Sequence, residues 1–427
     1  MFNDQAIKPC EVGQASAPAF NWKRNLHVSV IALMIATIGF DAAVPFLSYF
    51  VQELGVSDPT QVKLWAGLLF SANSVSLAVM GPVWGALGDR LGHKLMVQRA
   101  MFAGSIFIGV MSLVRTPSQL LVLRILQGAM TGFSTTTFTL VSAGTPVESH
   151  GYALGLLQTV AYLGGALGPV MGGVVADTWG YRACFWITGA LMGAGGILVS
   201  LLIREPAKKI GKKESQSLSH AVHAVLGSSA IVLVLAVRSL VSSGLRTVNP
   251  FLPLFVQALE PAQARVATLV GTLNSANLVG TALGATAVGR FADRFGLRKV
   301  SLVAVLASGI GYLLQSSVTS VTQLLLLQFL TGIAIGGMLT TLSVAIARLS
   351  PPGRQGVVFG LQISFVQAAN AVGPMVGALV AARWGLRGPF VVAGAACLVA
   401  TCLFARIKFD QPQPSARLRA PTCGERR

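Results

Sequence analysis

One carboxylate in this chain stands where carboxylates are costly. Of 14 acidic residues, Asp41 alone lies well inside a long apolar run; the others fall in tails, loops or helix ends. Three arginines share its situation: Arg124, Arg238 and Arg246 each interrupt an apolar stretch. A charge at the centre of a bilayer costs at least about 2.5–3.5 kcal/mol, so such residues face protein, water or a partner charge and mark ion or proton pathways. The chemistry open to this set is proton handling, because desolvation favours the neutral form of a carboxyl group and a cationic neighbour favours the charged one. Asp41 also shares a helical face with Thr37 and Ser48, and it precedes Pro45 by four residues. Other chemistries lack candidates. The five cysteines (Cys10, Cys184, Cys397, Cys402, Cys423) match no metal-binding spacing. None of the five histidines lies deep in an apolar run, and there is no P-loop, no HExxH and no nucleophile–base pair near a span end. The chain is therefore expected to be no enzyme and to hold no metal or cofactor.

The elements that position these charges follow from composition. Hydrophobic residues make up 53% of the chain and charged residues 11%, with a mean hydropathy of +0.69. That leaves too little polar surface for a soluble protein, and apolar runs of about 20 residues read as membrane helices. Twelve are expected, centred near residues 38, 73, 104, 130, 165, 193, 241, 277, 308, 333, 369 and 397. Residues 1–20 are mixed polar with no long apolar core, so the first span is expected to be a retained helix and not a cleaved signal. Of the 32 Lys and Arg, 23 lie in the tails and the loops on the same side as the tails, against six in the opposite loops. The excess of cations marks the cytoplasmic side, which predicts that both termini are cytoplasmic. The net charge of +18 follows from this bias. It is scattered over many segments and predicts no nucleic-acid binding.

The chain also repeats itself. VPFLSYFVQEL at 44–54 returns as NPFLPLFVQAL at 249–259, and Ser71-Ala72-Asn73 returns as Ser275-Ala276-Asn277. GALGDRLGHK at 85–94 returns as GRFADRFGLRK at 289–299, Gly128 as Gly332, and Gly168-Pro169 as Gly373-Pro374. Trp179-Gly180-Tyr181-Arg182 returns as Trp384-Gly385-Leu386-Arg387. The offset is 204 or 205 throughout, which chance would not hold over six matches in order. Two six-helix halves follow, residues 20–204 and 229–406. A polar, Lys-rich linker at 205–228 joins them, and tails run over 1–19 and 407–427. Applied to Asp41, the offset lands on Arg246, four residues before Pro250. Applied to Arg124 it lands on Gln328, so that arginine is not a requirement of the fold.

These residues resemble the major facilitator superfamily over essentially the whole chain. The resemblance implies an all-α membrane protein of twelve helices in two pseudo-symmetric bundles. GALGDRLGHK is similar to the family's loop 2–3 signature, with His93 where Arg is usual; it implies a gating latch at Gly85, Asp89, Arg90, Gly92 and Lys94, repeated at Gly289, Asp293, Arg294, Gly296 and Arg298. LRILQG at 123–128 resembles the fourth-helix signature and places Arg124 with Asp41 as the proton-coupling pair. Gly155, Gly164, Gly168-Pro169 and Gly172-Gly173 match the antiporter signature of the drug:proton exporters, and WAGLLFSANSVSLAVMGPVWGALGDRLGHKLM suggests the MdtG- and TetA-like multidrug branch. First and seventh helices line the central cavity in this superfamily, which brings Asp41 opposite Arg246 and Arg238. Asn73, Phe138, Gln158, Tyr162, Gln362, Asn277, Gln367 and Asn370 are further candidates for the cavity wall. The implied function is proton-coupled export of small amphiphiles by a multi-pass protein of the bacterial inner membrane, monomeric, with the lipid bilayer, protons and a small molecule as partners. A dedicated exporter of one metabolite, such as a siderophore or organic anion, is the alternative. A transporter-like receptor is a third class; receptors of that kind usually add a long soluble extension, and the C-tail here is short.

Overall fold

A segment crossing hydrocarbon must bond every backbone N–H and C=O internally, which is why the apolar runs become helices. The computed structural model describes residues 21–205, 227–260, 265–350 and 355–406, and every regular element among them is helical. The first half comprises α1 (Trp22–Ala43) and α2 (Leu47–Glu53), joined by one 3-10 turn at Val44–Phe46, then α3 (Pro59–Leu91) and α4 (His93–Met111). It continues with α5 (Pro117–Met130), α6 (Phe133–Gly144), α7 (His150–Trp179) and α8 (Tyr181–Leu202). The second half comprises α9 (Ser229–Val248), α10 (Leu252–Leu259), α11 (Val266–Phe295), α12 (Leu297–Ser316), α13 (Val321–Leu349), α14 (Gln355–Trp384) and α15 (Gly388–Ala405). With α1–α2, α5–α6 and α9–α10 each forming one interrupted span, these helices make the expected twelve. The tails at 1–19 and 407–427, and the linker beyond Glu205, fall outside the described residues apart from the helix-flanking positions.

Among the described residues, eleven helical stretches are long and apolar enough to cross a membrane. The fourth span is missing from that set because it is split into α5 and α6, of 14 and 12 residues. At the break Thr131 turns extended and Gly132 takes φ +105°, a left-handed conformation open to glycine at little cost. Gly336, its counterpart, lies within unbroken α13, pressed against the Thr281 carbonyl. The interruptions at Pro45 and Pro250 are instead shared by both halves. Proline has no N–H to donate to the carbonyl four residues back. That residue is Asp41 in one half and Arg246 in the other.

Within the first half α1 packs on α7 and α8, and α4 on α8; in the second half α9 packs on α14 and α15, and α12 on α15. The halves meet along two seams, α7 with α11 and α3 with α14. Small residues allow close approach in the absence of a hydrophobic drive between helices. A Cβ on Gly67 of α3 would lie 2.7 Å from the Pro374 carbonyl oxygen, and one on Gly173 of α7 would lie 2.5 Å from that of Ala267. Large apolar side chains such as Val79, Ile106, Leu201 and Val303 point outward, as a lipid-facing surface requires.

The seams are bonded toward one end. At the end of the bundle distal to the chain termini, Ser48 Oγ donates to the Pro250 carbonyl (2.5 Å), Tyr49 OH to that of Pro253 (2.5 Å), and Gln52 Nε2 to Gln257 Oε1 (3.3 Å). Ser275 Oγ donates to the Ala166 carbonyl at mid-depth. Nearer the terminal end, no hydrogen bond joins the halves among the described residues, and Gly81, Gly85, Gly155 and Gly360 have no neighbour within 4 Å of a would-be Cβ. Among the described residues, the hydrogen bonds between the halves thus gather toward the distal end.

The break at Gly132 makes one expectation concrete. Gly132→Ala forces an L-residue into left-handed backbone and should cost about 1–2 kcal/mol; a lowered unfolding temperature in detergent would register it.

Candidate functional site

Asp41 sits where α1 crosses α7, and the crossing is close because α7 presents glycines four residues apart. A Cβ on Gly164 would lie 3.2 Å from the Met34 carbonyl oxygen; one on Gly168 would lie 2.7 Å from that of Ile38 and 2.9 Å from Asp41 Cβ. One on Gly172 would overlap the Ala42 carbonyl. Gly165 completes the bed: its would-be Cβ is 3.2 Å from Asp41 Oδ2 and 3.2 Å from Leu278 Cδ1 of α11. The antiporter-like glycines therefore shape the wall against which the carboxylate rests. Gly173 faces the other way, onto α11, and Gly155 is exposed with nothing near it. Asp41 is half-buried and accepts no hydrogen bond from any described residue.

Arg246 reaches toward the same space from α9. Its Cβ lies 3.1 Å from a would-be Cβ on Gly373 of α14, and its side chain is exposed although it stands at mid-bundle. Asp41 and Arg246 act on each other electrostatically, yet no N···O distance between them falls within 4.0 Å. Arg238, two turns earlier on α9, donates from NH1 to the Leu339 carbonyl (3.3 Å), while its buried Nε has no protein partner. Asp41 and Arg246 thus pair opposite charges from the two halves. A carboxylate near a cation but not bonded to it can exchange a proton without first breaking an ion pair. A guanidinium with an idle N–H can bind an anionic or carbonyl group.

Other predicted residues are engaged elsewhere. Arg124 is 3% exposed; its Nε donates to the Leu69 carbonyl (3.3 Å) and its NH1 to Gln127 Oε1 (2.7 Å), with the guanidinium 5.7 Å from the Phe70 ring. Asn73 donates to the Arg124 carbonyl (3.4 Å) and Gln127 Oε1 (3.5 Å). Its counterpart Asn277 donates to the Gln328 carbonyl (3.1 Å) and Oε1 (2.9 Å). Gly128 and Gly332 press against the carbonyls of Asn73 and Asn277, so both asparagines tie a second helix to a fourth in their half. Phe138 packs on the core, Gln158 is exposed, Gln362 Oε1 is buried without a partner, and Asn370 donates to Gln367 (3.0 Å).

In the loop between α3 and α4, Gly92 takes φ +99° and the Glu205 carboxylate accepts from the main-chain N–H of His93 (2.9 Å) and Lys94 (2.9 Å). Lys94 Nζ donates to the Ser200 carbonyl (2.9 Å), and Asp89 and Arg90 are exposed. A Cβ on Gly92 would lie 2.9 Å from Glu205 Oε2. In the repeat, Arg298 donates to the Ala405 carbonyl (2.6 Å), Arg294 lies over Phe295 (5.5 Å), and a Cβ on Gly296 would meet nothing. Helix α11 runs through positions 289 and 293, whose side chains fall outside the described residues. Sequence reasoning missed Glu205, grouped with the linker, and Arg99, counted as a loop charge; the Arg99 guanidinium stacks 3.7 Å over Trp84. It also missed Asp177, whose carboxylate meets the start of α11. No spacing signals these contacts, since each partner is remote in sequence.

Comparison with known proteins agrees with this architecture. The chain matches the Major Facilitator Superfamily over residues 29–264 and 234–422. It is 33% identical over 399 residues to multidrug resistance protein MdtG of Klebsiella pneumoniae (strain 342), covering 93% of this chain and 96% of that one. In structure it is similar to the nucleoside transporter NupG, with a TM-score of 0.73 at 15% identity over 90% of this chain and 99% of that one. It is also similar to an inward-facing, unoccupied bacterial homologue of the human lysosomal transporter Spinster, with a TM-score of 0.72 at 16% identity over 90% and 96% of the two chains. At those identities the structural likeness concerns the fold.

The glycines of α7 separate into two classes that mutation can distinguish. Gly168→Ala places a methyl against the α1 backbone and should destabilise by about 1–3 kcal/mol. Gly155→Ala meets open space and should change stability by less than about 0.5 kcal/mol. Thermal unfolding of the two purified variants checks the contrast.

Proposed function

The chain belongs to the major facilitator superfamily, and from that premise we propose that it exports small amphiphilic compounds by proton antiport, as its two halves alternate access to the two sides of the membrane. The carrying observation is the Asp41–Arg246 couple: opposite charges from opposite halves, at pseudo-equivalent positions, interacting across the space between them without an ion pair. The name of its MdtG relatives, multidrug resistance proteins, supports drug-like cargo. The cation bias of the loops supports a bacterial inner-membrane protein with both termini cytoplasmic, which makes the conformation described here inward-facing. The bilayer, protons and one small molecule are its partners; it acts as a monomer and binds no nucleic acid.

In this reading Asp41 is the proton carrier. Facing the cytoplasm, it loses its proton and the charged carboxylate offsets Arg246, leaving a site with balanced charge for an amphiphile. Facing outward, it takes up a proton, the balance is lost, and the cargo is released. Arg124 supports the scaffold of the second and fourth spans beside this site through its bonds to Leu69 and Gln127. The idle Nε of Arg238 and the exposed Arg246 favour a second reading, a dedicated exporter of one organic anion or siderophore-like metabolite, because cations outnumber acids there.

Uptake into inverted vesicles, driven by an imposed proton gradient and run against a panel of lipophilic cations and organic anions, tests both readings. Transport of many unrelated compounds supports multidrug export, and transport of a single anionic class supports the second reading. Asp41→Asn should reduce gradient-driven uptake to background while the protein still inserts; pH-driven transport persisting in that variant would overturn the role of Asp41.

A further inference from the structure

The distal end of the bundle is closed by a charge as well as by packing. Asp177 lies in the last turn of α7, in the first half. Its carboxylate accepts from the main-chain N–H of Ala267 (3.2 Å) and of Thr268 (2.8 Å), and from the Thr268 hydroxyl (2.6 Å). Ala267 and Thr268 stand in the first turn of α11, in the second half. The first-turn N–H groups of a helix have no partner within it, and the positive end of the helix dipole points at the same place. Bonds to an ionised acceptor are about twice as strong as neutral ones. The other distal bonds between the halves, from Ser48, Tyr49 and Gln52, have neutral donors and neutral acceptors.

The internal repeat shows that the architecture does not demand this contact. Asp177 corresponds to Ala382, and Ala267 and Thr268 correspond to Lys63 and Leu64. The sister seam, α3 with α14, therefore closes by packing of Gly67 on Pro374 and Ala378. Arg182, the nearest cation in sequence, is held by Glu53 (3.0 Å) and the Ser112 carbonyl (2.5 Å). Separating the halves at this end breaks all three bonds of Asp177 together.

We propose that Asp177 is the latch of the distal gate: its carboxylate on the start of α11 holds that end shut, and its release is a step in opening the site to the far side. The proposal rests on the alternating-access reading above and assigns a positioning role, remote from the Asp41 site. Double electron–electron resonance on full-length protein, with native cysteines replaced by serine, tests it. One spin-label pair at Ser118→Cys and Ser317→Cys, exposed residues of opposite halves that make no bond between them, reports the distal end; another at Leu91→Cys and Phe295→Cys reports the terminal end. Asp177→Asn should raise the ratio of open to closed distal populations by about tenfold, the loss expected for one charged hydrogen bond, while the terminal pair shortens. Thr268→Val, which removes the hydroxyl donor alone, should shift both in the same sense by less. Unchanged distances in both variants, or lengthening of both pairs together, would overturn the latch. The distances are read without cargo or a proton gradient, so shifted distances beside a failed vesicle assay would keep the latch and reject the export reading.

Discussion

A carboxylate in the middle of a membrane span is tolerated where protein and water take the place of lipid around it, and the crossing of α1 with α7 supplies that place. The crossing exists because α7 carries no side chain at Gly164, Gly168 and Gly172, so the α1 backbone from Met34 to Ala42 lies directly on it. The same sequence that reads as an antiporter signature is, physically, a bed for Asp41. Proline deepens the effect: Pro45 cannot supply the helical donor to the Asp41 carbonyl, and the α-helix gives way there to a 3-10 turn.

The two halves descend from one pattern, and their differences concentrate where function is expected. Asp41 faces Arg246, Arg124 stands where Gln328 stands, and Asp177 where Ala382 stands. The fourth span breaks at Gly132 where the tenth runs on. Features kept in both copies, such as the Asn73–Gly128 and Asn277–Gly332 contacts, hold helices together inside each half. Symmetry thus separates scaffold from chemistry inside the spans: both halves keep the packing contacts, whereas Asp41, Arg124 and Asp177 each stand in one half alone.

α7 links the two ends of the molecule. Its middle lies on Asp41 and its last turn carries Asp177 onto α11. A helix that touches both Asp41 and the distal seam couples the two places, since packed interfaces have discrete arrangements and do not deform continuously. At the terminal end, Glu205 anchors the Gly92–Lys94 turn to the end of α8, so that turn moves as part of the first half.

Sequence alone determined the class, the twelve spans and the duplication, and it put Asp41 and Arg246 at equivalent positions of the two halves. Hydropathy, spacing and a constant offset are local or periodic, and they survive in a one-dimensional record. It could not show that Gly168 and Gly155 differ, because the neighbour that makes one glycine essential lies more than a hundred residues away. Nor could it show that Asn73 and Asn277 bond the facing helix, that Glu205 caps α4, that Asp177 caps α11, or which end is closed. A carboxylate's role there depends on which unpaired N–H groups lie within about 3 Å of it, and that is decided when remote helix ends are brought together in the tertiary structure.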